Sequence, residues 1–100
     1  MLLVNETNYD LKLNTGKVKQ IEHVLGISFM AELRKNGGMS SFGFLETSFA
    51  VALHDIDEDK PVKGKKATDV LNDALSEHGW AEVNAFVMTC IERDLGFLFQ

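Results

Sequence analysis

The chain has 100 residues, of which 45% are hydrophobic and 25% charged, the composition of an ordinary globular domain. Its formal net charge of −5 argues against a general nucleic-acid-binding surface, because such surfaces cluster Lys and Arg. The single cysteine, Cys90, excludes an intramolecular disulfide, and no apolar run approaches the length of a membrane span. We therefore expect a cytoplasmic domain that binds neither nucleic acid nor membrane.

The N-terminal residues predict a small antiparallel β-hairpin. Leu2–Val4 is a short apolar run, and residues 9–13 alternate apolar and polar side chains. The turn-rich residues 5–8 separate these two runs. A lone hairpin is marginal in water, so its apolar face must rest on helices or on another chain.

Two helices are predicted after the hairpin. The first extends from a polar cap at Asn14 or Thr15 to Gly26, which suits a left-handed stop. A second, short helix covers Phe29–Lys35. We expect the glycine-containing residues 36–38 to end it.

A third helix, residues 42–54, is predicted to follow a cap at Ser40 or Ser41 and to carry two apolar faces. The main stripe consists of Phe42, Leu45, Phe49, Ala52 and Leu53. Phe44 and Val51 fall on nearly the opposite side. Either the helix is sandwiched in the core, or it presents one face to a partner, and the pattern leaves both interpretations open.

Residues 55–66 predict a polar linker that changes from acidic to basic. Thr68 can cap a fourth helix over residues 69–78, and a fifth helix covers Trp80–Leu95. The fifth is apolar over most of its circumference, so we expect it to be buried, with Gly96 ending it.

These elements predict an α+β fold of mainly α character. A short N-terminal antiparallel β-hairpin precedes about five helices arranged around a buried C-terminal helix. We interpret residues 1–100 as a single domain. Its parts are a hairpin (1–13), helices (14–54), a polar linker (55–66), and a helical hairpin with an apolar tail (67–100).

The apolar tail is unusual for a chain end, which is normally exposed and polar. Phe97, Leu98 and Phe99 follow the last helix without an intervening charge. The tail either folds back as a cover of the core, or it supplies a contact for a partner.

One acidic run resembles part of a calcium-binding loop. Asp55, Asp57 and Asp59 occupy the first, third and fifth positions of such a loop. Lys60 stands where the loop needs glycine, and Lys66 where it needs a bidentate glutamate. A solvated acidic loop is therefore favoured over a calcium site.

The sequence predicts no catalytic, cofactor-binding or metal-binding residues. The three histidines are His23, His54 and His78, and none has a second histidine or a cysteine at metal-ligand spacing. Cys90 lies in the most apolar helix, where a thiol is normally inert packing, so a cysteine-dependent enzyme is disfavoured. A binding function is therefore favoured over an enzymatic one. The alternative to protein binding is a metal- or ligand-binding regulatory module that uses the acidic loop 55–59.

The layout of the chain points to one family. A short strand at Leu2–Val4, a second strand of sequence YDLKL at residues 9–13 and a helix running into Gly26 open the chain. The middle helix ends in Ala-Leu-His at His54, before a polar linker and two further helices. This layout resembles the small tail assembly chaperones of long-tailed bacteriophages, especially those of Gram-positive hosts. The long charged linker, residues 55–66, has no counterpart in that pattern.

The resemblance implies a non-enzymatic protein of the infected host cytoplasm that is absent from the mature virion. Such chaperones coat the tape measure protein, help recruit tail tube subunits and self-associate, and many also have a longer, frameshifted form. A client with long apolar helices would be held by apolar side chains. The predicted partner-binding residues are Phe44, Val51, Phe97, Leu98 and Phe99.

Overall fold

The computed structural model describes residues 1–35 and 40–99, and the side chains of Lys35 and Phe99 are not among the features described. The strands in this part are β1 (Leu2–Val4), β2 (Thr7–Leu11), β3 (Leu53–Asp55) and β4 (Lys60–Pro61). The helices are α1 (Thr15–Leu25), α2 (Phe29–Lys35), α3 (Phe42–Ala52), α4 (Lys65–His78) and α5 (Trp80–Leu95), followed by a 3₁₀ turn over Gly96–Phe99. The predicted α+β class with dominant helical content is confirmed. The predicted helix breaker at residues 36–38 lies outside the described residues.

The sheet is larger than the sequence predicts. It contains four strands in the order β1-β2-β3-β4, and every neighbouring pair is antiparallel. The predicted N-terminal hairpin is present, although its second strand covers Thr7–Leu11 rather than residues 9–13. The turn consists only of Asn5 and Glu6, and β2 therefore begins directly after it. Strand β2 is an interior strand, paired with β1 on one side and with β3 on the other.

Strand β3 replaces the predicted end of the third helix. Helix α3 ends at Ala52, and Leu53 adopts an extended conformation with φ −65° and ψ 136°. Leu53 then pairs with Leu11, and His54 pairs with Asp10. Pairing with β2 satisfies the backbone groups of these residues, so tertiary context overrides their helical periodicity.

Part of the predicted linker, residues 55–66, is a second hairpin formed by β3 and β4. Asp55 pairs with Lys60 across it. The Asp55 carboxylate accepts a hydrogen bond of 3.0 Å from the Glu58 N–H inside the turn. Asp59 closes the turn at φ 53°, a left-handed conformation that Asp tolerates better than most residues. Local polar contacts form this hairpin, which is why hydrophobic periodicity does not reveal it.

The predicted caps of two helices are confirmed. The Asn14 side chain accepts a hydrogen bond of 2.9 Å from the Lys17 N–H at the start of α1. Gly26 ends that helix in the left-handed conformation, at φ 69°. The Ser41 hydroxyl accepts a hydrogen bond of 3.1 Å from the Phe44 N–H at the start of α3. Each contact satisfies a backbone donor that has no partner within its own helix.

Two helix ends differ from the prediction. Helix α4 begins at Lys65, so the prediction that Thr68 caps it was wrong. Gly64 precedes the helix at φ 64°, a conformation that glycine adopts without steric strain. Gly96 does not stop the chain in a left-handed conformation, because its φ of −54° and ψ of −30° continue α5 into the 3₁₀ turn.

The core lies between the sheet and the helices, with α3 and α5 at its centre. Helix α3 buries Phe44, Leu45, Thr47, Ser48, Phe49 and Ala52. Helix α5 buries Val83, Asn84, Val87, Cys90, Ile91 and Leu95. The ring of Phe44 packs against that of Phe29 in α2, with 5.3 Å between the centroids. The opposite side of α5 remains exposed at Ala81, Glu82, Ala85 and Thr89.

Two phenylalanines of α3 give a direct test of this core. Phe44 is 0% exposed and Phe42 is 53% exposed. Phe44→Ala should lower the free energy of unfolding by about 3–5 kcal/mol, because it removes a fully buried ring. Phe42→Ala, the matched control, should cost only about 0.5–1.5 kcal/mol, the size of one aromatic contact. Urea denaturation measures both, and equal losses would contradict the assignment of faces.

The first hairpin turn offers a stabilising substitution. Asn5 and Glu6 have φ values of 49° and 66°, the pattern of a type I′ turn, for which Asn-Gly is the favoured pair. Glu6→Gly removes the left-handed strain of a side chain and should raise the free energy of unfolding by about 0.5–1 kcal/mol. Glu6→Ala, which keeps a Cβ, should bring no gain. A lower melting temperature for Glu6→Gly than for the wild type would refute this account of the turn.

Candidate functional site

The structure places the predicted partner-binding residues in different settings. Phe44 is fully buried in α3, so it belongs to the core and cannot touch a partner while the protein is folded. Val51 is half-buried on the same helix. Phe97 and Leu98 are 55% and 39% exposed on the 3₁₀ turn. The side chain of Phe99 lies outside the described features.

Val51 lines a shallow groove where α1, α3 and α4 meet. The groove has a volume of about 210 Å³ and is lined by Val24, Glu46, Thr47, Ala50, Val51 and Thr68. Val24, the most accessible apolar side chain in it, is 66% exposed. This groove combines residues from three helices, so the sequence pattern of α3 alone shows only one of its walls.

A second groove runs between the start of the chain and the exposed side of α5. Its volume is about 290 Å³, and its lining residues are Met1, Leu2, Glu82, Ala85, Phe86 and Thr89. Met1 is 78% exposed at its rim. The hydrophobic pattern does not predict this groove, because it indicates a buried α5 and the groove forms only where the start of the chain meets that helix.

Phe42 and Trp80 form an aromatic pair at the start of α5. Their ring centroids are 5.1 Å apart and their planes are inclined by 41°. The prediction that Phe42 belongs to the inward stripe of α3 was wrong, since its side chain is 53% exposed. The ring lies over Trp80 instead of entering the core, and it shields part of the indole from water.

A polar cluster fastens the other end of α5, directly before the tail. Arg93 Nη1 donates hydrogen bonds of 3.0 and 2.9 Å to the two carboxylate oxygens of Asp10. Its Nη2 donates to the Leu11 carbonyl at 2.7 Å, and its Nε donates to Asp94 at 2.7 Å. Asp94 also accepts a hydrogen bond of 2.9 Å from the Leu13 N–H. The last turn of α5 is thereby bound to strand β2 and to the residues that follow it.

The charges of this cluster stabilise one another. The Arg93 guanidinium, together with the Leu13 N–H, lowers the pKa of Asp94 and outweighs the opposing effect of burial. Asp94 and then Asp10 raise the pKa of Arg93, which stays charged. Because the pKa of Asp94 in the folded state lies below its unfolded value, its contribution to stability is present above the unfolded pKa. That contribution is lost as the pH falls through the folded pKa.

Cys90 lies against the same cluster as a packing residue. Its side chain is 2% exposed, and its Sγ donates to an Asp10 carboxylate oxygen at 3.4 Å. Burial raises the pKa of Cys90 to about 11. At neutral pH the group is therefore a thiol, and a thiol is a poor nucleophile.

The carboxylates of Asp55, Asp57 and Asp59 in the acidic 55–59 loop contact different partners within the fold. Asp55 is buried and accepts from the hairpin turn. Asp57 accepts a hydrogen bond of 3.0 Å from the Asn8 N–H, and Asp59 lies 2.9 Å from His54 Nε2. Over residues 1–35 and 40–99, no group of three or more His, Cys, Asp and Glu side chains is placed to hold a metal ion.

Comparison of the chain with family models, with curated proteins and with solved structures found no match. In the part of the chain that the structure describes, no helix combines the length and the apolar character needed to cross a membrane. Function is therefore inferred from the surfaces of the chain itself.

Cys90 provides a test of the packing assignment. A rise of its pKa from 9.0 to about 11 leaves about 100-fold less thiolate at pH 8. The native protein should therefore react with Ellman's reagent at least about 100-fold more slowly than the urea-unfolded chain, its control. Equal rates in the two states would show that the thiol is accessible and reactive. They would then support the hypothesis that the protein is a cysteine-dependent enzyme.

Proposed function

We propose that this protein is a non-enzymatic tail assembly chaperone of a long-tailed bacteriophage that binds the tape measure protein in the cytoplasm of the infected host. The observation that carries the proposal is the exposed apolar tail. Phe97 and Leu98 are 55% and 39% exposed directly after a helix of which six residues are buried. The family resemblance in the layout of the chain supplies the identity of the client.

Adjacent exposed apolar side chains on a firmly attached turn suit a binding role. Single exposed apolar residues are common on protein surfaces, but neighbouring ones mark contact sites more often. The tail is attached through Arg93 to Asp10 and Leu11, so Phe97 and Leu98 are held in position by the last turn of α5. A preordered anchor loses less conformational entropy when it binds.

The grooves extend the surface that a helical client could use. An amphipathic helix is recognised through apolar residues spaced three or four apart, which enter apolar depressions. The groove at Val24 and Val51 and the groove at Met1 and Phe86 are both shallow and partly apolar. In this proposal the tape measure protein is the main partner and tail tube subunits are the second. Self-association would use the same apolar surfaces, and the protein would be absent from the mature virion.

The acidic 55–59 loop is not proposed as a ligand site. Asp55 and Asp57 already accept backbone hydrogen bonds, and Asp59 contacts His54. These contacts form the β3–β4 hairpin and join it to β2.

Co-expression with the client tests the proposed function. The client is the very long helical protein expected from the gene that follows, and the wild-type chain should increase its soluble fraction. The double variant Phe97→Ser/Leu98→Ser should lose most of that effect while its own stability changes by only about 0.5 kcal/mol per site, since both residues are exposed. Val24→Ser tests the separate groove between α1, α3 and α4, and it should lose less of the effect than the tail variant.

The outcomes separate the function from its site. Failure of the wild-type chain to solubilise the client would overturn the chaperone proposal. Full activity of the tail variant together with loss in Val24→Ser would keep the function and move the binding site to the groove between α1, α3 and α4. Thermal unfolding of each variant shows whether the fold is intact.

A further inference from the structure

Strand β1 forms a free edge of the sheet, and its backbone groups alternate in direction. Asn8 in β2 accepts a hydrogen bond of 2.9 Å from Ile56 on the side of β3. Bonding direction alternates along a strand, so Tyr9 bonds toward β1, where it faces Leu2. The next residue of β1, Leu3, therefore turns its N–H and C=O groups away from the sheet.

The end of α4 covers this edge with side chains. His78 Nε2 lies 2.6 Å from the Leu3 carbonyl oxygen. The Asn5 N–H donates to the Glu77 carboxylate at 3.0 Å, and the Asn5 side chain donates to Asp73 at 2.7 Å. An uncovered strand edge can pair with another chain, and covering it with polar side chains is one way in which proteins prevent that pairing.

His78 also connects this edge to α5. Its Nδ1 lies 3.2 Å from a carboxylate oxygen of Glu82. The Leu3 carbonyl and the ionised Glu82 carboxylate can only accept hydrogen bonds, so both ring nitrogens must carry a proton for both bonds to form. A ring protonated on both nitrogens is the positively charged imidazolium.

We propose that protonated His78 is a pH-dependent latch that holds the junction of α4 and α5 closed over the free edge of β1. The neutral ring carries one proton, so it can donate to Leu3 or to Glu82 but not to both. Deprotonation therefore removes one of the two bonds and weakens the cover. When the neutral ring donates to Glu82 instead, the outward C=O group of Leu3 becomes available to another strand.

The surrounding charges favour the closed latch at lower pH. Glu82 faces the ring from α5, and Glu77 precedes it on α4. Glu6, from the hairpin turn, lines the groove between that turn and the end of α4. The residues that line this groove are Leu3, Asn5, Glu6, Glu77 and His78, with no Lys or Arg among them.

The bond to Leu3, followed by that to Glu82, raises the pKa of His78, and burial only partly opposes these effects. Because the folded pKa lies above the unfolded value, the stabilisation is complete below the unfolded pKa. It is lost as the pH rises through the folded pKa.

An NMR titration of the full chain from about pH 5 to about pH 9 tests the latch. The His78 ring should lose its proton at a higher pH in the folded chain than in the urea-unfolded chain. The protection of the Asn5 amide against hydrogen exchange, corrected for intrinsic rates, should fall over the pH range in which His78 deprotonates. The expected fall is about tenfold for each unit by which the pKa of His78 is raised.

Two variants of α5 isolate the charge that faces the ring. Glu82→Gln should lower the pKa of His78 and reduce the fall in Asn5 protection. Glu92→Gln makes the same charge change at an exposed position of the same helix. It should leave the pKa of His78 and the fall in Asn5 protection unchanged. The latch is overturned if the pKa of His78 in the folded chain is equal to or below its value in the unfolded chain, or if Asn5 protection does not depend on pH. It is also overturned if His78→Gln shows the wild-type pH dependence of that protection.

Discussion

The hydrogen bonds between Arg93 and Asp10 hold the two ends of this fold together. Asp10 lies in an interior strand with its side chain 12% exposed, where a carboxylate without a partner would be costly. Arg93 supplies that partner through two hydrogen bonds and adds a third to the Leu11 carbonyl. Asp94 completes the arrangement by binding both Arg93 and the Leu13 N–H. The sheet, the last helix and the position of the exposed tail all depend on this cluster.

Much of the fold could be predicted because its signals are local. Caps and glycine stops act within a few residues, which explains why the bounds of α1 agree with the prediction. The β3–β4 hairpin could not be predicted from hydrophobic pattern, because Asp55 and its turn are stabilised by polar contacts. Periodicity placed Phe42 on the inward stripe of α3 and left the setting of Phe44 open, whereas the structure exposes Phe42 and buries Phe44.

The sequence predicted separate apolar residues of the candidate surface, Val51 and the tail, but not the grooves. Exposure of Phe97 and Leu98 was one of two alternatives that the apolar chain end left open, and the structure shows them exposed. The Asp10–Arg93 pair joins residues 83 positions apart, and no local pattern records such a contact. The grooves likewise appear only when separate elements meet. An exposed apolar tail that hydrogen bonds fasten to the sheet, and two shallow grooves elsewhere on the surface, suit a protein that holds an apolar client.

A double-mutant cycle at Asp10 and Arg93 tests the importance of this cluster most directly. The free energies of unfolding of the wild type, Asp10→Asn, Arg93→Gln and the double variant are measured by urea denaturation. Charge-assisted bonds to a mostly buried carboxylate should give a coupling energy of about 1–3 kcal/mol. Additive losses, with a coupling energy close to zero, would contradict the account, because the two ends of the chain would then be held together by other contacts.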